Sequence, residues 1–404
     1  MSEGRKLVPR LRFPEFLDAN EWGSFPLSSF VESLDAGVSV NSGGRPAKKG
    51  EASVLKTSAV TCGTFDHQEN KVVLDEIEIR RLKEPVCKNT IIISRMNTPD
   101  LVGANAYIEE SSEDIFLPDR LWAAKSKPGT SMRFISYILG SDKGRAALSK
   151  MASGSSGSMK NITKSDILFL QVTAPAFVEQ QKIADSLSSL DELIAAQACK
   201  VDALKTHKKG LMQQLFPREG ETRPCLRFPE FGEPWIETKL QDLCSSVSSG
   251  RDQIDSDGLF DLYGSTSVIG KTQNASFNGE RILVARVGAN AGMLTKAKGS
   301  FGVTDNTLVV SLNHSINIDF LYHYLGTINI NKLIFGSGQP LITGSILKNL
   351  PIQVPVDMEQ LRISACLSTL DELIVAQTFE LDALRVHKKG LMQQLFPAPT
   401  EGAA

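Results

Sequence analysis

The sequence lacks the features of a secreted, membrane-spanning or metal-stabilised protein. Its 404 residues include six cysteines, and none of them forms a C-x-x-C pair, so we expect neither a disulfide framework nor a thiolate zinc site. No stretch approaches the roughly 18 uninterrupted apolar residues of a membrane span. The N-terminal residues also lack the apolar core of a signal peptide. We therefore expect reduced cysteines, no membrane association and a cytoplasmic location.

Motifs of common catalytic sites are also missing. The chain has no H-E-x-x-H, no G-x-S-x-G and no Asn/Asp-Pro-Pro-aromatic tetrapeptide of the kind that adenine methyltransferases use. Its five histidines form no cluster with metal-ligand spacing. Residues 264–272 resemble a phosphate-binding loop, but five residues separate the two glycines instead of four, which favours a hairpin. We expect no catalytic residue, metal or cofactor in this chain.

The chain carries little net charge. Its formal net charge is −2, whereas a nucleic-acid-binding domain usually has an excess of basic residues. Residues 38–175 contain 19 Lys and Arg against 15 Asp and Glu, a net of +4, and residues 225–355 contain 10 against 11, a net of −1. Any phosphate-binding surface is therefore expected to be local.

The strongest signal in the sequence is an internal repeat. Residues 179–217 align without a gap to residues 359–397, with 26 of 39 positions identical. A shorter repeat pairs PRLRFPEF at residues 9–16 with PCLRFPEF at residues 224–231, and each copy is followed by a tryptophan. Both halves of the chain therefore begin and end alike and differ in the middle.

Each long repeat has the spacing of a coiled-coil helix. Apolar residues step alternately by four and three positions, as the a and d positions of a heptad do. The predicted core positions of the two helices are Ile183, Leu187, Leu190, Ile194, Val201, Leu204, Leu211, Ile363, Leu367, Leu370, Ile374, Leu381, Leu384 and Leu391. A helix with one apolar stripe needs a partner, so we expect the two helices to pair, antiparallel, with a module near each end. Gln197 and Gln377 interrupt the stripes and either set the register of the pair or lie at its solvated edge.

Between the repeats lie two segments without helical periodicity, residues 24–175 and 237–355, whose short β-branched runs predict mixed, β-rich modules. The predicted strands are residues 71–79, 89–96, 280–288 and 306–313. The predicted helices of the modules are residues 132–151 and 318–330. The Gly/Ser-rich stretches 153–158 and 336–338 are turns or phosphate cradles, and turns are the commoner outcome. The predicted fold is α+β, with two pseudo-two-fold-related mixed α/β modules separated by two long antiparallel coiled-coil helices.

With these features the chain resembles the specificity subunits of type I restriction-modification systems. The duplicated helices and the LRFPEF segments are the most specific part of the resemblance, which spans essentially the whole chain. Within the modules it rests on Leu55-Lys56-Thr57, Ile93-Ser94-Arg95, Asp100-Leu101-Val102-Gly103, Leu117-Pro118, Tyr263-Gly264, Arg286-Val287-Gly288-Ala289 and Val303-Thr304-Asp305-Asn306.

The resemblance implies a non-catalytic subunit that binds double-stranded DNA at a split target. It implies as partners two methyltransferase subunits and two restriction and translocation subunits, with S-adenosylmethionine, ATP and Mg on those partners. It also implies the following domains: an N-terminal segment and first target recognition domain at 1–177, a spacer helix at 178–217, a linker and second recognition domain at 218–355, a second spacer helix at 356–397 and a flexible tail at 398–404.

Polar and basic residues beside the module motifs are the candidates for DNA contacts, since Arg and Lys can recognise guanine and Asn can recognise adenine. They are Lys56, Thr57, Ser94, Arg95, Asn97, Tyr263, Ser265, Arg286 and Asn290 for base recognition, with Lys160 and Lys271 for phosphate. Two other functions remain open: a stand-alone DNA-binding regulator on the same pseudo-dimeric scaffold, and a coiled-coil scaffold protein that does not bind DNA.

Overall fold

The computed structural model describes residues 7–154, 159–313, 316–333 and 341–397. The chain divides into two compact units, one of residues 1–195 and 382–404 and the other of residues 196–381. The predicted tail at 398–404 lies outside the described residues. The predicted domain boundaries at 177, 217 and 355 stay predictions.

The first module is built mainly of short strands. Its strands are β1 (Gly23–Pro26), β2 (Val31–Ala36), β3 (Ser53–Leu55), β4 (Asn70–Val72), β5 (Pro85–Val86), β6 (Ile91–Ser94), β7 (Met96–Asn97), β8 (Asn105–Tyr107), β9 (Ser112–Phe116), β10 (Leu121–Ser126), β11 (Lys160–Asn161) and β12 (Gln171–Ala174). Its helices are α1 (Glu76–Arg81), α2 (Met132–Gly140), α3 (Asp142–Met151) and α4 (Lys164–Phe169), and the long helix α5 (Phe177–Leu215) follows.

The second module has a similar order of elements. Its strands are β13 (Ile236–Lys239), β14 (Cys244–Ser249), β15 (Phe260–Tyr263), β16 (Val268–Thr272), β17 (Phe277–Asn278), β18 (Arg281–Ala285), β19 (Leu294–Ala297), β20 (Ser300–Val303), β21 (Thr307–Leu312) and β22 (Pro351–Val354). Its helices are α6 (Leu240–Leu243), α7 (Ile318–Thr327) and α8 (Gly344–Lys348), and the second long helix is α9 (Asp357–Leu395).

The two modules have the same sheet topology. Each has an antiparallel four-stranded sheet, in the order β2-β10-β6-β8 in the first module and β14-β21-β18-β19 in the second. Each also has a mixed four-stranded sheet with a parallel pair, β3 with β9 in the first and β15 with β20 in the second. A short antiparallel pair, β1 with β12 and β13 with β22, joins the start of each module to its end. The repeated ends of the sequence therefore enclose modules of one architecture.

Two of the predicted elements of the first module are wrong in part. Residues 71–79 were expected to form one strand, but the strand ends at Val72 and α1 begins at Glu76. The Asp75 side chain accepts a hydrogen bond from the Ile77 amide and caps this helix, and acidic residues in its first turn with arginines in its last turn favour it further. The predicted helix at 132–151 is two helices, because Ser141 ends α2 in an extended conformation and caps α3.

The long helices run antiparallel where they meet inside the second unit. Gln197 on α5 donates to the backbone oxygen of Gln377 and to Glu380 on α9, and Lys208 farther along α5 donates to Asp371. A later position on α5 thus contacts an earlier position on α9. The Gln197 Nε2 also lies 3.1 Å from the Gln377 Oε1, so the two glutamines bond to each other, which agrees with a role in setting the register.

The first unit holds the corresponding stretches of the same two helices. Ile183 and Leu187 of α5 belong to one apolar cluster with Leu395 of α9. Lys388 of α9 donates to Asp191 of α5, which also accepts a hydrogen bond from Tyr137 of α2 at 2.7 Å. The start of α5 therefore packs against the end of α9, which again is antiparallel.

Burial along both helices follows the heptad positions. The positions predicted to form the core of the pair are buried or half-buried in the structure. Leu193 and Leu373, which lie outside the stripe, are 52% and 41% exposed. The pairing thus covers the stripe that neither helix could cover alone.

A buried glutamate joins each long helix to its own module. Glu179 at the start of α5 accepts two hydrogen bonds from the Arg12 guanidinium, at 2.8 and 2.7 Å, and one from the Trp22 indole at 3.2 Å. The Glu179 and Arg12 side chains are 2% and 5% exposed. In the second unit Glu359, Arg227 and Trp235 form the same arrangement. The repeated LRFPEF and EQ sequences therefore encode one duplicated ion pair.

The repeated QQLFP ends complete the module cores. Phe396, just after α9, makes an edge contact with Trp22 and a tilted ring contact with Phe134 of the first unit, at ring-centroid distances of 6.4 and 5.7 Å. Phe216, just after α5, contacts Trp235 and Phe320 of the second unit in the same two ways, at 6.3 and 5.6 Å. The C-terminal end of the described chain therefore belongs to the core of its N-terminal module.

The buried ion pair leads to a prediction about stability. Glu179→Gln is expected to lower the free energy of unfolding by about 3–5 kcal/mol, because it leaves the Arg12 guanidinium buried without its counter-charge. Chemical denaturation would measure it. Glu192→Gln, on the exposed face of the same helix, is the matched control and should change stability by less than about 0.5 kcal/mol. Equal effects of the two substitutions would contradict the importance of this pair.

A buried histidine leads to a second prediction. Burial, aided by the nearby Lys208 charge, lowers the pKa of His323 to about 4. The unfolded chain has a histidine pKa of about 6.5 and so binds the proton more readily than the folded chain between these two values. Stability therefore falls as the pH drops from about 6.5 towards 4.

His323→Phe removes this titration. Between a pH of about 7.5 and one of about 5, wild type is expected to lose about 1–2 kcal/mol more stability than His323→Phe, with the other titrating groups common to both. Thermal unfolding at the two pH values would measure the difference. Parallel losses in both proteins would show that His323 does not titrate in this range.

Candidate nucleic-acid interface

In the first module, several candidate residues follow the central strand β6. Ser94 is buried at the end of this strand, and Gly103, in a left-handed conformation at φ +72°, brings the chain back to it. The Gly103 backbone amide donates a hydrogen bond to the backbone oxygen of Ser94 at 2.7 Å. Between them the chain leaves the sheet, and Asn97 lies opposite Lys160 in the small β7–β11 pair. The structure thus brings together Ser94, Arg95, Asn97 and Lys160.

Arg95 is the first residue of the loop between Ser94 and Gly103. Its backbone amide donates a hydrogen bond to the backbone oxygen of Arg120 at 3.0 Å, and its backbone oxygen accepts one from the Ile162 amide at 2.9 Å. The guanidinium carbon lies 5.8 Å from the centre of the Trp122 ring, which is within cation–π range. The backbone is therefore held on both sides while the half-buried side chain lies over an aromatic ring.

Lys56 and Thr57 lie elsewhere in the first module. They follow β3 in the mixed sheet, where Thr57 begins a short 3-10 helix. The Lys56 ammonium lies 3.5 Å from Glu69, with both side chains about a third exposed. Among the described residues, no hydrogen bond joins Lys56 or Thr57 to Arg95 or Asn97. These two candidates form a separate group.

In the second module, three candidates meet at one turn. The Thr304 backbone amide donates a hydrogen bond to the backbone oxygen of Tyr263 at 3.0 Å. The Ser265 hydroxyl and the Arg286 backbone amide both donate hydrogen bonds to the backbone oxygen of Asn306, at 3.4 and 2.9 Å. Tyr263, Ser265 and Arg286 are therefore neighbours, although Arg286 follows Ser265 by 21 positions in the sequence.

The other two candidates of the second module lie beside this group. Asn290 is exposed in the loop after Arg286. Lys271 lies on β16 and is paired with Asp261 of β15, its Nζ 2.7 Å from the carboxylate. Residues 264–272 form the turn and second strand of the β15–β16 hairpin, so the hairpin interpretation of that phosphate-loop-like sequence is confirmed.

The turns that hold the two arginines were missed as candidates by sequence reasoning. They are residues 118–120 in the first module and 304–306 in the second, and both precede a central strand of the antiparallel sheet. Arg120 is exposed there and adds a basic side chain next to Arg95. A Pro-Asp or Thr-Asp pair before a largely apolar run marks such a turn, but its contact with the arginine depends on strand pairing.

Other predicted features can be placed only in part. Residues 155–158 and 336–338, which include most of the Gly/Ser-rich stretches, lie outside the described residues. Within the described ranges, no group of three His, Cys, Asp or Glu side chains could hold a metal ion. In the same ranges, no helix is both long and apolar enough to cross a membrane.

Comparison with known sequences identifies the family. A family model described as the type I restriction modification DNA specificity domain matches residues 19–205 and 232–381. The chain is 33% identical over 115 residues to the EcoprrI specificity subunit of Escherichia coli, a match that covers 28% of this chain and 29% of that protein. It is 23% identical over 260 residues to the MjaVIII specificity subunit of Methanocaldococcus jannaschii, covering 56% of this chain and 61% of that protein. The matches thus span less than two thirds of either relative.

Solved structures support the same fold. The crystal structure of a type I restriction-modification S subunit from M. genitalium superposes with a TM-score of 0.66 at 17% identity, covering 97% of this chain and 100% of that one. A chain from a structural study of complex assembly and conformational transition in the type I R-M system gives a TM-score of 0.52 at 16% identity, covering 93% and 98%. Because the family model covers both modules and most of the two long helices, this chain belongs to the type I restriction-modification DNA specificity family.

Proposed function

We propose that this chain is the non-catalytic subunit that selects a split DNA target and directs adenine methylation and restriction by partner subunits in the cytoplasm. The observation that carries the proposal is the pair of modules of one topology whose loops differ in sequence. Ser94-Arg95-Met96-Asn97 in the first module stands where Ala285-Arg286-Val287-Gly288 stands in the second. Two related frameworks with different loop sequences suit the recognition of two different half-sites.

The long helices fit a role in setting the spacing of the target. Each is 39 residues long, which corresponds to about 58 Å at 1.5 Å per residue. Each contributes residues to both units and runs antiparallel to the other in each. We infer that this helical pair sets the number of base pairs between the two half-sites, as a split target requires.

The weak charge of the chain supports a need for partners. With a net charge of −2, this chain supplies little of the phosphate attraction that dominates DNA affinity. We infer that two methyltransferase subunits, which bind S-adenosylmethionine, supply the remaining contacts with DNA phosphates. We also infer that two restriction subunits supply the ATP- and Mg-dependent steps. Lys208 and Lys388 of the repeated HKKG sequence bond to Asp371 and Asp191. Lys209 and Lys389 are the more exposed basic pair, and the Lys389 Nζ lies 3.0 Å from the Asp142 carboxylate.

The proposal predicts a methylation pattern. Cells that express this chain with its methyltransferase should carry N6-methyladenine at one split motif, with two short specific parts separated by a fixed number of unspecified base pairs. Single-molecule sequencing of genomic DNA would map it. Cells that express the methyltransferase alone are the control and should lack the motif. An unmodified genome with both proteins present would contradict the proposal and favour a regulator or a scaffold.

The proposal also predicts how binding depends on the partner. The isolated chain should bind its target poorly, and the complex with the methyltransferase should bind it specifically, with an affinity that falls steeply as salt is raised. Fluorescence anisotropy with a labelled duplex at several salt concentrations would test this. Tight specific binding by the chain alone would point instead to a stand-alone regulator.

A further inference from the structure

Arg95 and Arg286 occupy the same place in the two modules. Each follows an inner strand of the antiparallel sheet, β6 or β18. The backbone amide of each donates a hydrogen bond to the turn before the neighbouring strand, to the backbone oxygen of Arg120 or Asn306. Their backbone oxygens accept from Ile162 and Ile342, which stand 180 positions apart in the repeat. The loop after each returns through a glycine of positive φ, Gly103 or Gly292. The two loops thus share the arginine and its backbone contacts, whereas their other residues differ.

The two guanidinium groups also lie in similar environments. Among the described residues, the buried Nε of Arg95 and that of Arg286 have no hydrogen-bond partner. Neither side chain forms an ion pair with a described carboxylate. By contrast, the candidate lysines Lys56 and Lys271 are paired with Glu69 and Asp261. The arginines thus keep a positive charge that the described protein does not neutralise.

Other unsatisfied polar atoms gather around these arginines. In the described part of the first unit, the remaining buried side-chain atoms without a partner are Trp122 Nε1, Arg145 Nη1 and Asn161 Oδ1. Trp122 lies under Arg95, Asn161 pairs with the next residue, Met96, and Arg145 donates to Asp100 in the same loop. Burial also lowers the pKa of Arg145. All these unsatisfied atoms therefore lie on or beside one loop.

The described part of the second unit shows this association in part: three of its seven such atoms lie on Arg286 or on the turn that receives its amide, and the other four belong to Arg281, His323 and Gln353. The hydroxyls of Thr304 and Thr307, at the turn that receives the Arg286 amide, are buried and lack a partner among the described residues. Buried polar groups without partners cost free energy. The presence of such atoms at the equivalent place in both modules indicates a surface that can bond to a ligand.

We infer that Arg95 and Arg286 are the matched DNA-contacting arginines of the two modules, one for each half of the target. This inference rests on the proposed function and names its central contact. The buried Nε leaves the two terminal nitrogens of each planar guanidinium to meet a pair of acceptor oxygens or nitrogens. In DNA that pair is either the O6 and N7 of a guanine or two oxygens of a phosphate.

The test uses the complex of the full chain with its methyltransferase and the target defined by methylation mapping. Arg95→Gln, Arg286→Gln and the corresponding lysine variants are compared with wild type for affinity on the intact target and on duplexes with either half scrambled. Each glutamine variant is expected to weaken binding about 5- to 150-fold. If the contact is to a guanine, Arg95→Gln should abolish discrimination of one half and Arg286→Gln that of the other.

Two further readouts identify the contacted group. A guanine contact predicts that the glutamine variant loses its preference at one base pair and that lysine does not restore it. A phosphate contact predicts an equal loss on all sequences, partial rescue by lysine, and a slope of log affinity against log salt that is shallower by about 0.9. Either pattern supports the inference.

Matched controls separate a DNA contact from loss of structure. Arg80→Gln in the first module and Lys298→Gln in the second remove a positive charge from side chains that are both 82% exposed, and they should bind as wild type does. The inference is overturned if the arginine variants also bind as wild type does. It is likewise overturned if weaker binding comes only with a lower melting temperature, with salt slope and base preference unchanged. If the wild-type complex shows no sequence preference, the proposed function itself fails.

Discussion

The structure depends on one constraint: a long helix with a single apolar stripe must cover that stripe with a second helix. Within each unit, α5 and α9 do this for each other in antiparallel order. The pairing has a consequence for the modules, because the end of α9 reaches the core that contains Trp22 while the end of α5 reaches the core that contains Trp235. Neither core is therefore complete without residues distant in sequence, and the long helices are part of the folding units themselves.

The same constraint explains which parts of the chain are repeated. Arg12, Glu179 and Trp22 form a buried group whose members come from the N-terminal segment and α5, and the second unit repeats that group. A buried carboxylate must keep its guanidinium and indole partners, since loss of one leaves the other uncompensated. These positions cannot change singly, whereas loops at the far edge of the sheets face no such requirement. Duplication of the frame and divergence of the loops follow from that difference.

Much of this architecture could be predicted from the sequence, because heptad spacing and an ungapped repeat report directly on a helix and its partner. Prediction failed where a local contact decided the outcome. The alternation of Ile and acidic residues after Leu74 is typical of a strand, yet the Asp75 cap makes residues 76–81 a helix. For the candidate site, residue types near the motifs made Arg95 and Arg286 candidates. Their equivalence and their contacts with the turns at 118–120 and 304–306 depend on strand pairing over long distances, on which periodicity gives no information.

The low net charge and the proposed DNA contacts are compatible for a physical reason. Lysines whose charge is matched by a nearby carboxylate, such as Lys271 with Asp261, add little to the field that attracts DNA. An arginine with no carboxylate partner, held over an aromatic ring as Arg95 is over Trp122, concentrates positive charge at one point in a fixed orientation. Such an arrangement favours a ligand whose acceptor atoms match the arginine's hydrogen-bonding directions, because those directions are set before DNA arrives. A subunit whose partners supply the general attraction to DNA needs few positive charges of its own, provided that those few are placed where the sequence is recognised.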